Sequence, residues 1–226
     1  NIIGKSDEEI QQIYKSNPKS LSVDEILYAA TLTENDAEKL DIYKTATTVY
    51  PNDYRTFNDL GVMQYAAGDY NGAKASFAAA SRLNPSATEP QMNLGLVALV
   101  NKDFRQANQK FGNAAGLEEL GGALGTYYIM TGDNSAAVKA FGNTKSNNAA
   151  LAQILTKDYS KAKSTLAGIT NPDATTYYLL AVLGARTNND QMITTNLRQA
   201  AKLDKSVIER AKSDLEFANF NLGSIF

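Results

Sequence analysis

The stretch Tyr54–Pro85, YRTFNDLGVMQYAAGDYNGAKASFAAASRLNP, decides the fold. Apolar residues recur at helical spacing on both sides of Gly68-Asp69-Tyr70, so it reads as two amphipathic helices folded back to back about that turn. Leu60 and Gly61 fall in the first helix, and Ala73, Phe77 and Ala80 in the second. The pattern returns 34 residues later at Leu94, Gly95, Phe104, Ala107, Phe111 and Ala114. A period of that length in a helical pattern specifies stacked helix pairs.

Towards the N-terminus the repeat is looser. Ser6–Glu9 has the form of a capping box ahead of a short helix bearing Ile10, Ile13 and Tyr14. Ser22–Glu25 has the same form and opens a divergent pair, roughly 20–53, that Pro51 closes. Towards the C-terminus the array shortens. Gly68 to Lys102 is 34 residues, but the next three intervals, ending at Gly132, Lys157 and Asn188, are 30, 25 and 31. Gly125 with Ala137 and Phe141, then Ala150 with Ala162 and Leu166, keep the small-small-large spacing, so we expect clipped helices and no lost units.

Every turn is followed by Asp69, Asp103, Asp133, Asp158 or Asn189, residues suited to accept an unpaired amide hydrogen of the next helix. A final pair opens at Asn171-Pro172-Asp173, with Ile193 where the other units carry alanine. Ser206–Glu209 reads as a third capping box, starting a terminal helix through Leu215. The tail 219–226 carries large apolar residues for which the sequence offers no partner.

Leu60-Gly61, Tyr70, Ala73, Phe77, Ala80 and Pro85 resemble the tetratricopeptide repeat, with Phe57 in place of the usual tryptophan. The resemblance extends over about 20–205. It implies an all-α, right-handed superhelix of about five to six helix pairs, the units 54–87 and 88–117 being clearest. A flanking helix at 1–19 precedes the array, and a capping helix and tail at 206–226 follow it.

Composition narrows the chemistry. There is no Cys and no His, which removes thiol nucleophiles, thiolate metal sites and the commonest general base. The 22 basic and 24 acidic residues leave a net charge of -2, unsuited to nucleic acid or an anionic membrane. No apolar run approaches a membrane span. Gly121-Gly122-Ala123-Leu124-Gly125 lacks the Lys-Ser/Thr of a phosphate loop and reads as a helix contact face. Glu8-Glu9, Asp24-Glu25 and Glu118-Glu119 read as capping or solvated charge. We expect no enzyme activity, no cofactor and no metal. The chain opens on Asn1 rather than Met, which reads as a processed or trimmed start.

In the family that the chain resembles, the first helix of each unit lines a concave groove. The resemblance therefore implies a protein or peptide partner bound through Arg55, Asn58 and Tyr65 in one unit and Met92, Asn93 and Leu96 in the next. Tyr28 would come from the divergent unit, and Thr126 and Ile129 from the third. Val62, Leu96 and Leu99 fit the groove and helix packing equally. The family's basic clamp on a terminal carboxylate is not matched, because Arg55 stands alone. An Asn/Thr/Tyr-rich style without Cys or His resembles bacterial envelope-associated members, which implies a periplasmic or envelope setting, with the cytoplasm as the alternative. Other functional readings are a glycan- or small-ligand-binding envelope protein, a two-carboxylate hydrolase, or a spacer within a larger parent chain.

Overall fold

The computed structural model describes residues 4–117 and 119–226, and every regular element among them is helical. After α1 (Asp7–Ser16) come six helix pairs: α2 (Val23–Thr31) with α3 (Asp36–Val49), α4 (Tyr54–Ala66) with α5 (Tyr70–Leu83), α6 (Thr88–Val100) with α7 (Phe104–Asn113), α8 (Leu120–Thr131) with α9 (Asn134–Phe141), α10 (Asn147–Leu155) with α11 (Tyr159–Ala167), and α12 (Ala174–Arg186) with α13 (Asp190–Leu203). A short α14 (Val207–Ser213) and a 3₁₀ turn, Leu215–Phe217, end the chain. The helices group into two compact units, 1–120 and 121–226.

One turn recurs in five of the pairs. A residue one or two places past each first helix takes a left-handed conformation: Gly68 (φ 82°), Lys102 (57°), Gly132 (86°), Lys157 (66°) and Asn188 (55°). The next amide then donates back to the first helix, as in Asp69 N to Gln64 O at 2.9 Å and Asp158 N to Gln153 O at 2.8 Å. The side chain of that same Asp or Asn accepts from the amide three residues on, at Gly72, Gln106, Ala136, Lys161 and Met192. A single dipeptide thus ends one helix and starts the next.

Between paired helices the seam is filled by complementary volumes. A Cβ added to Gly61 would stand 2.5 Å from the Phe77 ring, one on Gly125 2.5 Å from Phe141, and one on Gly95 still closer to Phe111. Where the seam carries alanine in place of glycine, its counterpart is leucine: Ala150 with Leu166 and Ala181 with Leu197, all fully or almost fully buried in one cluster. Ile193 takes an alanine position and is buried, because α13 meets α12 at Gly184, whose missing Cβ would stand 3.0 Å from the Ile193 amide. The short intervals are absorbed by clipped helices, with 8 residues in α9 and 9 in each of α10 and α11, against 13 in α4 and 14 in α5.

Two of the three capping boxes differ from expectation. Only Ser22–Glu25 is reciprocal. Ser6 accepts from Glu9 N, but the Glu9 carboxylate bonds the Ser6 hydroxyl rather than its amide. Ser206 makes no cap at all. Its amide and hydroxyl both bond Asp204, as Ser86 does to Asn84 in the clearest repeat, and α14 stops at Ser213 rather than Leu215. The tail finds its partners on the last pair: Phe220 and Leu222 pack on the large cluster of 121–226, Ile225 is buried in it, and Arg198 donates to the Ile225 and Ser224 carbonyls.

Candidate functional site

Within each unit first helices touch one another, α4 on α6 and α10 on α12, while the corresponding second helices make no comparable contact. The first-helix side of each unit is therefore its inner side. Side chains that project from first helices without entering the seam are the candidates for contact with a partner.

In 1–120, that side joins Asn58 to Asn93, with Tyr65 and Leu96 on the same two helices. The Asn93 amide donates to Asn58 Oδ1 at 3.0 Å, linking α4 to α6, and Asn93 is the more deeply buried of the two. Val62 is 46% exposed and Val100 37% exposed, with Leu96 and Met92 half-buried nearby in sequence. Leu99, by contrast, is buried. Tyr65 serves two surfaces: its ring meets Tyr70 edge-on at 5.3 Å and packs against Phe77, Leu94 and Val97. Burial raises the pKa of its hydroxyl.

Arg55 and Tyr28 are both engaged by carboxylates. The Arg55 guanidinium is spread over two carboxylates, donating to Asp53 at 2.8 and 3.1 Å and to Asp24 at 2.7 Å. Its donors are thus engaged by carboxylates of the chain itself. The Tyr28 hydroxyl donates to Asp7 on α1 at 2.9 Å. Beside Arg55, Asp59 sits in a desolvated niche towards Tyr43, and burial pushes its pKa up to about 6 despite the nearby guanidinium.

In 121–226 the inner side of α8, α10 and α12 is shaped differently. Thr126 bonds the Gly122 carbonyl and accepts from Asn148, while Ile129 packs into the α9–α10 seam beside Phe141. An open hollow of about 450 Å³ is lined by Gly122, Thr126, Thr144, Ser146, Asn147, Asn148 and Thr175. It carries hydroxyls and amides but no charge. Through Asn147, Asn148 and Thr175 it runs on into a deeper cavity of about 210 Å³ walled by Leu151, Leu155, Leu179 and Val182. Tyr178, Arg186, Arg210, Asp214 and Glu216 close the far end.

Sequence reasoning reached this second site only at Thr126. Asn147 stands eleven residues before its cap and Leu151 seven, as Asn58 and Val62 do before Asp69, so extending the groove register past the clipped units would have found them. The part built by 214–216 had no such signal, being made by chain that lies beyond the repeats. Among the described residues no group of three or more acidic side chains could hold a metal ion, and no helix is long and apolar enough to cross a membrane. Glu119 is exposed, and its neighbour Glu118 lies outside the described residues.

No family model and no curated protein matches the sequence. Solved structures do. A tetratricopeptide repeat protein from Parabacteroides merdae is 13% identical, with 90% of this chain and 88% of that one covered at a TM-score of 0.67. Cut9, in the Cut9–Hcn1 hetero-tetramer of the APC/C, is 16% identical, with 91% and 45% covered and a TM-score of 0.77. PilF of Pseudomonas aeruginosa is 14% identical, with 96% and 98% covered and a TM-score of 0.63. The chain has the tetratricopeptide-repeat fold, all-α and built of stacked antiparallel helix pairs.

Proposed function

We propose that this tetratricopeptide-repeat chain is a non-enzymatic interaction module that takes an extended peptide segment of a protein partner on its first-helix side. The carrying observation is the joined hollow and cavity of 121–226, where neutral Asn and Thr groups lead into a hole with apolar walls and a charged far end. Asn offers both a donor and an acceptor, as a peptide backbone requires. The hole, about 210 Å³, has room for one anchoring side chain of a longer ligand laid along the hollow. That Cut9 was captured with Hcn1 in a hetero-tetramer supports the same reading.

A glycan reading is less well supported, since sugars need a free aromatic face. The Tyr178 ring has the Arg210 guanidinium 4.4 Å above it and Phe217 at its edge, and Tyr65 is packed against Tyr70. The test is affinity purification from source cells with the wild-type chain and with Leu155→Asp/Asn148→Ala. A partner retained by the wild type and lost by a variant of unchanged helical content supports the site; equal recovery overturns it. The envelope setting belongs to this proposal, and fractionation that finds the chain only in the cytoplasm would remove it.

A further inference from the structure

The end of the chain already places a segment on this inner side. The turn Asp214–Phe217 lies against α12, each of its acidic side chains held by a first-helix donor. The Tyr178 hydroxyl donates to Asp214 Oδ2 at 2.5 Å. Arg186 grips the Glu216 carboxylate through Nη2 at 2.5 Å and Nε at 3.0 Å, and its Nη1 reaches the Ile154 carbonyl at 3.2 Å. Phe217 is buried, edge-on to Tyr178 at 5.6 Å, while Leu215 between the carboxylates is 89% exposed. Arg186 stands three residues before its cap, the register of Val100, Met130 and Leu155. Those three are exposed on their own helices, whereas Arg186 is partly covered by the turn.

The segment is tethered through α14, and a short tether supplies an effective concentration in the millimolar range, so weak contacts are enough to seat it. Its contacts also state what the surface recognises: two carboxylates one residue apart, met by a guanidinium and a phenol, followed by an aromatic side chain in an apolar slot.

We propose that the Asp214–Phe217 turn is a built-in occupant of the inner side of α10 and α12, and that a partner segment of the same chemistry, acid-x-acid-aromatic, displaces it to bind there. This rests on the reading of that side as a peptide-binding surface. Partner binding and release of the chain's own turn would then be one exchange, with Arg186 and Tyr178 changing carboxylates.

The test uses the full chain and a labelled peptide copying residues 211–222, AKSDLEFANFNL, in an anisotropy titration. Asp214→Asn/Glu216→Gln, which weakens the internal occupant, should bind the peptide at least about tenfold more tightly than the wild type. Adding Arg186→Met to that variant should lose the gain, and a peptide carrying Asn and Gln at the two acidic positions should bind at least about tenfold more weakly. Equal affinity for wild type and variant, no binding to a folded variant at about millimolar peptide, or indifference to the acidic positions would each overturn the proposal. Should the double variant not fold, Glu216→Gln alone, which keeps the Tyr178–Asp214 bond, carries the same comparison. A failed titration leaves the Leu155→Asp/Asn148→Ala comparison standing, so the two readings fail separately.

Discussion

The pairs α4–α5 and α6–α7 close their seams with glycine against phenylalanine, whereas α10–α11 and α12–α13 use alanine against leucine. Both arrangements bury the small and the large partner, so what is held constant is the volume across the seam, as close packing requires. A residue-by-residue template sees the second pattern as decay of the first. Physically it is the same joint with one methyl group added on the small side and three carbons fewer on the large one. The 34-residue signature fades towards the C-terminus for that reason and because helices shorten, while helix pairing persists.

That comparison can be broken most forcefully at the large partner. Phe77→Ala should cost about 3–5 kcal/mol in chemical denaturation, because the ring is 1% exposed and nothing nearby can fill its space. A loss below about 1 kcal/mol would mean that the seam collapses freely and the volume rule is empty.

A sharper test exchanges the two solutions. Gly95→Ala alone should destabilise by about 1–2 kcal/mol, overlap with the buried Phe111 ring outweighing the helix propensity gained. Gly95→Ala/Phe111→Leu recreates the alanine–leucine joint and should be at least about 1 kcal/mol more stable than the sum of its single changes. Additivity within about 0.5 kcal/mol would show the pairing to be coincidental.

Asp59 separates a buried charge from the packed seams. Its folded pKa, about 6, lies above the roughly 3.9 of an unfolded aspartate, so the folded chain binds the extra proton between those values. Stability should therefore fall as pH rises from about 4 to about 6 and level off above. Asp59→Asn should remove that slope and gain on the order of 1–2 kcal/mol at neutral pH. An unchanged pH profile of thermal unfolding would show the carboxylate to be well solvated.

The turns should respond alike in both regions. Asp158→Ala and Asp103→Ala should each cost about 1 kcal/mol, since both carboxylates accept the third amide of the following helix. The smallest effect is a gain. Lys157→Gly should stabilise by up to about 1 kcal/mol, relieving a left-handed lysine at φ 66°, and Gly68, already glycine at the same place, shows the geometry to be native to the joint.

The caps and the turn positions before them were legible because they act through the chain's own next few amides. Asn58 was legible as a groove candidate, but its bond to Asn93 was not, since that pairing depends on how α4 lies on α6. The partners of Arg55 were hidden for the same reason. Its two carboxylates come one from its own helix cap and one from Asp24, 31 residues away, and no local pattern announces the second. Tyr65 looked like contact surface and proves to share its ring with the packing behind it.

By itself, the sequence determined helix pairs, their turns, and the small-large alternation in the seams, because each of these follows from interactions within a few turns of helix. Only the tertiary structure decided which inner side chains remain available. The 214–217 turn closes a cavity that its own neighbourhood in sequence does not contain, with Arg186 and Glu216 meeting across 30 residues. Long-range contacts of that kind are set by three-dimensional packing, and a periodic pattern carries no record of them.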